Sequence, residues 1–135
     1  LVKIKYSSPK VKLALSYPRT QIKKSIRVAF RRISDIVIDD VHKGFKSPKS
    51  GRLYGIHRAS APGEYPAIMT GGLYHSIDST MHGSYTLEVG TNKSYAPFLE
   101  YGSSRILPRP FMESTMKRTI GKVRQSFYGS LRSYL

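Results

Sequence analysis

This chain has no cysteine. Disulfides, thiolate nucleophiles and cysteine metal sites are therefore excluded together, and the redox compartment is left open. Acidic residues are scarce, 8 Asp+Glu against 23 Lys+Arg, for a net charge of +15. A field of that sign attracts polyanions: nucleic acid, an acidic protein face or an anionic membrane. Long apolar runs are missing as well. None approaches the ~20 residues of a membrane-spanning helix, and the opening residues are too charged and too alternating for a secretory signal. The expectation is a soluble protein made in the cytoplasm, with no membrane among its partners.

What remains is 135 residues, 39% hydrophobic and 11% aromatic, the composition of one globular domain. The charge is unevenly placed. Residues 1–32 carry ten basic and no acidic side chains, and 105–135 carry seven basic side chains against Glu113 alone. The stretch 33–104 is nearly neutral, with six basic and seven acidic residues. Two basic ends flank a balanced centre.

Along the chain, Val2, Ile4 and Tyr6 alternate, and Val11, Leu13 and Leu15 resume the alternation after Ser7-Ser8-Pro9-Lys10. That pattern predicts a strand or hairpin within 1–18. Over 19–45, Ile22, Ile26, Phe30, Ile33, Val37, Val41 and Phe45 recur at helical spacing, with Lys23, Lys24, Arg27, Arg31 and Arg32 off the stripe. Thr20 is the expected N-cap and Gly44 the expected stop. Those cations sit in the first half of the helix, where its dipole disfavours them, so local helix stability did not dictate their placement. Residues 46–72 are rich in Ser, Pro and Gly and predict a long loop, a length that in a compact domain usually has a job.

The stretch 73–109 predicts a helical turn at Leu73–Ile77 with Thr70 near its cap, strands at Asp78–His82 and Tyr85–Gly90, and a short helix ending at Gly102. Over 110–134, Pro110 suits a first helical position, and Met112, Met116, Ile120, Val123, Phe127 and Leu131 form the apolar stripe of a last helix. The fold expected is α+β: a small antiparallel sheet packed by two amphipathic helices, with a long extended loop.

Chemistry is sparsely provided. Asp35 and Asp39 share a helix face and could hold a hard cation, but Arg31, Arg32 and Lys43 nearby make intrahelical ion pairs the stronger reading. His75 beside Ser76, and His57 near Ser60, lack the sharp turn that exposes a nucleophilic serine. His42, His57, His75 and His82 lack the paired spacing of a zinc site, and no phosphate loop or dinucleotide fingerprint is present. The expectation is no enzyme, no metal and no cofactor. Any contact to DNA would be to backbone phosphate, insensitive to sequence.

Four segments, read in order, resemble a known family. They are Ala59-Ser60-Ala61-Pro62-Gly63-Glu64-Tyr65-Pro66-Ala67; Thr70-Gly71-Gly72-Leu73-Tyr74-His75-Ser76-Ile77; Val89-Gly90-Thr91 through Tyr95-Ala96-Pro97-Phe98-Leu99-Glu100-Tyr101-Gly102; and Pro108-Arg109-Pro110-Phe111. Together they resemble the head-to-tail joining and tail-completion (tail terminator) proteins of long-tailed bacteriophages. The resemblance implies a non-catalytic virion protein at the head–tail junction. It would form a ring, usually of six copies, that meets the head connector or stopper protein, the tail tube protein and DNA backbone in the lumen.

Within this frame Pro62, Gly63 and Pro66 would shape an extended arm that also carries Glu64, and Gly71 would permit a tight entry into the next turn. Tyr95, Phe98, Leu99 and Phe111 would pack against the last helix. Glu100 is a candidate inter-subunit salt-bridge partner, and Arg109 joins it among the expected interaction residues. Arg27, Arg31 and Arg32 would face DNA or an acidic ring. Residues 1–18 match no part of the family pattern. The alternative reading, from another class, is a basic, sequence-independent DNA-binding protein.

Overall fold

The computed structural model describes residues 2–7, 9–15 and 23–132. The expected cap at Thr20 lies outside the described residues. Two antiparallel strands open the fold, β1 (Val2–Ser7) and β2 (Lys10–Leu15), and are followed by α1 (Lys23–Lys46). A minor pair, β3 (Leu53–Tyr54) and β4 (His57–Arg58), then precedes α2 (Gly72–Ser76), β5 (Asp78–His82), β6 (Thr86–Gly90), α3 (Ala96–Tyr101) and α4 (Met112–Arg132). The architecture is α+β, as the patterning predicts. The main sheet is antiparallel in the order β1-β2-β6-β5, so the opening alternation does join the sheet.

Period-two patterning separates the two sheet faces. Val11 pairs with Val89 and Leu13 with Leu87 across β2 and β6, and all four are buried. On the other face Glu88 lies 3.2 Å from Lys10 Nζ, 3.1 Å from Lys12 Nζ and 3.4 Å from His82 Nε2. Helix α1 covers the apolar face next to β6, and α4 lies against α1 and β2. Ile26, Phe30, Ile33, Val37, Val41 and Phe45 form the buried stripe that the spacing predicts.

Helix α4 departs from its expected stripe. Met112, Val123 and Phe127 are buried, but Thr115, Thr119 and Ser130 are buried with them, while Met116, Ile120 and Leu131 are only partly covered. Small polar residues let α4 approach α1 closely, and each has a hydrogen bond. Thr115 meets Tyr65, Thr119 donates to the Thr115 carbonyl, and Ser130 accepts from Arg32 Nη1 at 3.2 Å.

Gly44 does not stop α1. The helix runs on to Lys46, and the Tyr65 ring fills the space at Gly44, where an added Cβ would lie 2.5 Å from Cζ of that ring. Glycine here is a notch for an aromatic ring. Pro110 likewise stands just outside α4, which begins at Met112, and its carbonyl accepts from Ser114 Oγ.

Candidate assembly site

Between α1 and α2 the long loop is docked over most of its course. Ser47 N–H and Oγ and Lys49 Nζ all donate to the Gly44 carbonyl and close the end of α1. Gly51 N–H to Ala59 O and Ala59 N–H to Arg52 O then form the base of the β3–β4 hairpin. Beyond it, Glu64 N–H donates to Ala61 O across Pro62 and Gly63, with Gly63 at φ 86°. Pro second and a positive-φ Gly third is the arrangement of a type II turn, the physical reason for Pro62-Gly63.

The Glu64 carboxylate accepts from Ala61 N–H at 2.8 Å, from Ser50 N–H at 3.1 Å and from the Ser50 hydroxyl. These bonds hold its pKa below the usual glutamate range, the Ser50 side chain first and the Ala61 and Ser50 backbones next. Glu64 thus closes the turn and pins the base of the hairpin.

Tyr65 anchors the loop. Its ring packs on Gly44, its hydroxyl lies 2.6 Å from Thr115 Oγ1, and Arg118 Nη2 donates to it at 2.9 Å. Arg118 also pairs with Asp40 at 2.8 Å, linking α4 to α1. The carboxylate of α1 that pairs is therefore Asp40, and its partner is on the other helix. Among the described residues no cation lies within ion-pair distance of Asp35 or Asp39.

The segment between α3 and α4 is joined to the same loop. Gly63 N–H donates to Pro108 O, Arg109 Nε to Ser60 Oγ at 2.9 Å, and Arg109 Nη2 to Ser60 O at 3.2 Å. Glu100 lies beneath, 3% exposed, accepting from the backbone N–H groups of Phe111 (2.9 Å), Met112 (3.1 Å) and Glu113 (2.9 Å). It caps α4 from eleven residues upstream, occupying donors that the helix cannot satisfy itself. Burial lifts its pKa above the usual range, against the pull of the three N–H donors.

The expectation that Glu100 pairs with a neighbouring subunit is thereby corrected, because a carboxylate enclosed by three donors of its own chain has no surface to offer. Ser76 Oγ, 2.6 Å from Thr91 Oγ1, ties the second motif segment to the third. All four segments of the resemblance meet at this end of the fold.

They surround an open cleft of about 380 Å³, lined among others by Ile68, Met69, Tyr95, Leu99, Ile106 and Arg109. Its surroundings are unusually apolar for exposed surface. Ten of the thirteen exposed large hydrophobic side chains among the described residues are Leu53, Tyr54, Ile56, Ile68, Met69, Tyr95, Phe98, Tyr101, Ile106 and Leu107. They come from the hairpin, the approach to α2, α3 and the connector that follows it. Ile56 at the hairpin tip is fully exposed. Of the aromatics expected to pack inward, Phe111 does, whereas Tyr95 and Phe98 face out.

The hairpin is what sequence reading missed. The available signal was Leu53-Tyr54-Gly55-Ile56 between Arg52 and Arg58, an apolar cluster on a Gly turn inside a polar loop.

The other candidate residues separate. Arg27 and Arg31 border a cleft beside β5, while Arg32 turns toward α4 and Ser130, so the three do not form one face. Ser76 donates to the Leu73 carbonyl, and Ser60 accepts from Arg109; neither is aimed at a histidine. Among the described residues no group of three His, Asp or Glu side chains could hold a metal ion, and no helix is long and apolar enough to cross a membrane. At this end hydrogen bonds hold the scaffold, and apolar side chains are left outward. Comparison of the chain with protein-family models, curated proteins and solved structures finds no match.

Proposed function

We propose that this chain is a structural subunit at the head–tail junction of a tailed bacteriophage, completing or terminating the tail and joining it to the head connector as one member of a ring. The observation that carries the reading is the concentration of exposed apolar side chains around the cleft and hairpin, at the end where the four motif segments meet. A concentration of exposed apolar side chains is a mark of protein–protein contact. Pro62, Gly63, Glu64, Pro66, Glu100 and Arg109 would act in this reading by holding that surface in shape, with no role in catalysis. The partners are further copies of the chain, the head connector or stopper protein and the tail tube protein, and the place of action is the virion.

Light scattering after size exclusion, on the protein alone and with isolated tails or DNA-filled heads, tests the proposal. A ring, or a monomer recruited to one of those particles, supports it. A monomer that ignores both particles and instead retains random DNA favours a stand-alone DNA-binding protein, the reading that the net charge of +15 supports.

A further inference from the structure

Helices α1 and α4 run antiparallel, since Arg32 contacts Ser130 at one end and Asp40 contacts Arg118 at the other. At the first of these ends, residues 23–34 and 125–132 carry Lys23, Lys24, Arg27, Arg31, Arg32 and Arg132 and no carboxylate. All six are exposed, and among the described residues none lies within ion-pair distance of an acid. The α1 residues Asp35 and, across the cleft beside β5, Asp78 are the carboxylates that border this region next to Arg27 and Arg31.

We infer that this cationic end is a sequence-independent site for the phosphate backbone of duplex DNA. Six like charges at one end of the helix pair, without counter-charges, repel one another in the free protein, and a polyanion relieves that repulsion while releasing its own condensed counterions. An acidic protein face would answer the charge equally well, but a protein interface also brings an apolar core from which charges are depleted. Here the exposed large hydrophobics are Val28 and Tyr128 alone among the described residues of both helix segments. A polar, strongly positive surface of long side chains is the composition of a DNA-backbone contact. The inference rests on the junction reading only for why DNA is within reach. A chain that joins particles but fails the test below loses this inference and keeps that reading.

The test is the salt dependence of affinity for a random duplex, measured on the whole chain. Lys24→Gln, Arg27→Gln, Arg31→Gln and Arg132→Gln together remove four charges from the end. Lys43→Gln, Lys93→Gln, Arg105→Gln and Lys117→Gln remove four elsewhere. Each phosphate neutralised contributes about −0.9 to the slope of log K against log salt, so removing four contacts in the first variant should flatten the slope by about 3.6, and the second should leave it nearly unchanged. Lys at Arg27, Arg31 and Arg132 should retain the slope, because the contact is to charge. Equal losses in both variants would overturn the site in favour of diffuse attraction. Binding to polyglutamate but not to duplex would overturn it in favour of an acidic protein.

Discussion

The two ends of the α1–α4 pair are built from the same helices, about 36 Å long in the case of α1 by its 24 residues, and are finished in opposite ways. Toward one end, residues 35–46 and 112–119 carry four acids and four bases, and the docked loop anchored by Tyr65, the Asp40–Arg118 pair and the Glu100 cap bind that end to the rest of the chain. Outside this tight scaffold stand the hairpin and the apolar rim of the cleft. The other end carries six cations and no acid among residues 23–34 and 125–132. The difference teaches that most of the basic excess of the helix pair sits at one end, while the end with balanced charge is free to bring apolar surfaces together. Electrostatics serves one end and hydrophobic burial the other.

Glu100→Ala should break the comparison most severely. It removes three charge-assisted backbone bonds at the start of α4 and should cost roughly 2–4 kcal/mol in urea unfolding, whereas Glu113→Ala nearby should cost far less. The hairpin sharpens it. Leu53→Ser with Ile56→Asp should weaken self-association or particle recruitment at least tenfold, read by light scattering, while the melting temperature stays the same because those side chains are exposed. Tyr65→Phe should cost about 1–2 kcal/mol, since it leaves buried Thr115 without the tyrosine hydroxyl and removes the Arg118 bond to the loop.

The smallest effect is titration, and two glutamates carry it with opposite sign. Burial raises the Glu88 pKa, but hydrogen bonds from Lys12, Lys10 and His82 together outweigh it and hold the group below the usual range. The stability it gives is present above the unfolded-state pKa and lost as pH falls through the folded value. Glu100 holds its proton more tightly in the fold, so stability is fullest below the unfolded-state pKa and declines as pH rises through the raised folded value. Denaturant midpoints across acid pH should therefore lose their low-pH fall in Glu88→Gln and their decline on the higher side in Glu100→Gln.

Much of the architecture is written in periodicity. Ile26 through Phe45 gives α1, the alternation of Val11, Leu13, Leu87 and Val89 gives the covered sheet face, and Pro62-Gly63 gives its turn. The contacts that shape the candidate site are not periodic. Glu100 reads as a surface charge until α3 and α4 are brought together. Gly44 reads as a helix stop until Tyr65, twenty-one residues on, is laid across it. Thr115 and Thr119 read as polar surface until their hydroxyls find partners. Each depends on two segments distant in sequence, and local pattern carries no information about which will meet.

The central claim, that the apolar end is the joining surface, is tested most directly by amide hydrogen exchange on the protein free and then bound to isolated tails or DNA-filled heads. Slowed exchange across 52–58 and 95–107 in the bound state is the predicted result. Unchanged exchange in both segments of a particle-bound subunit would contradict it.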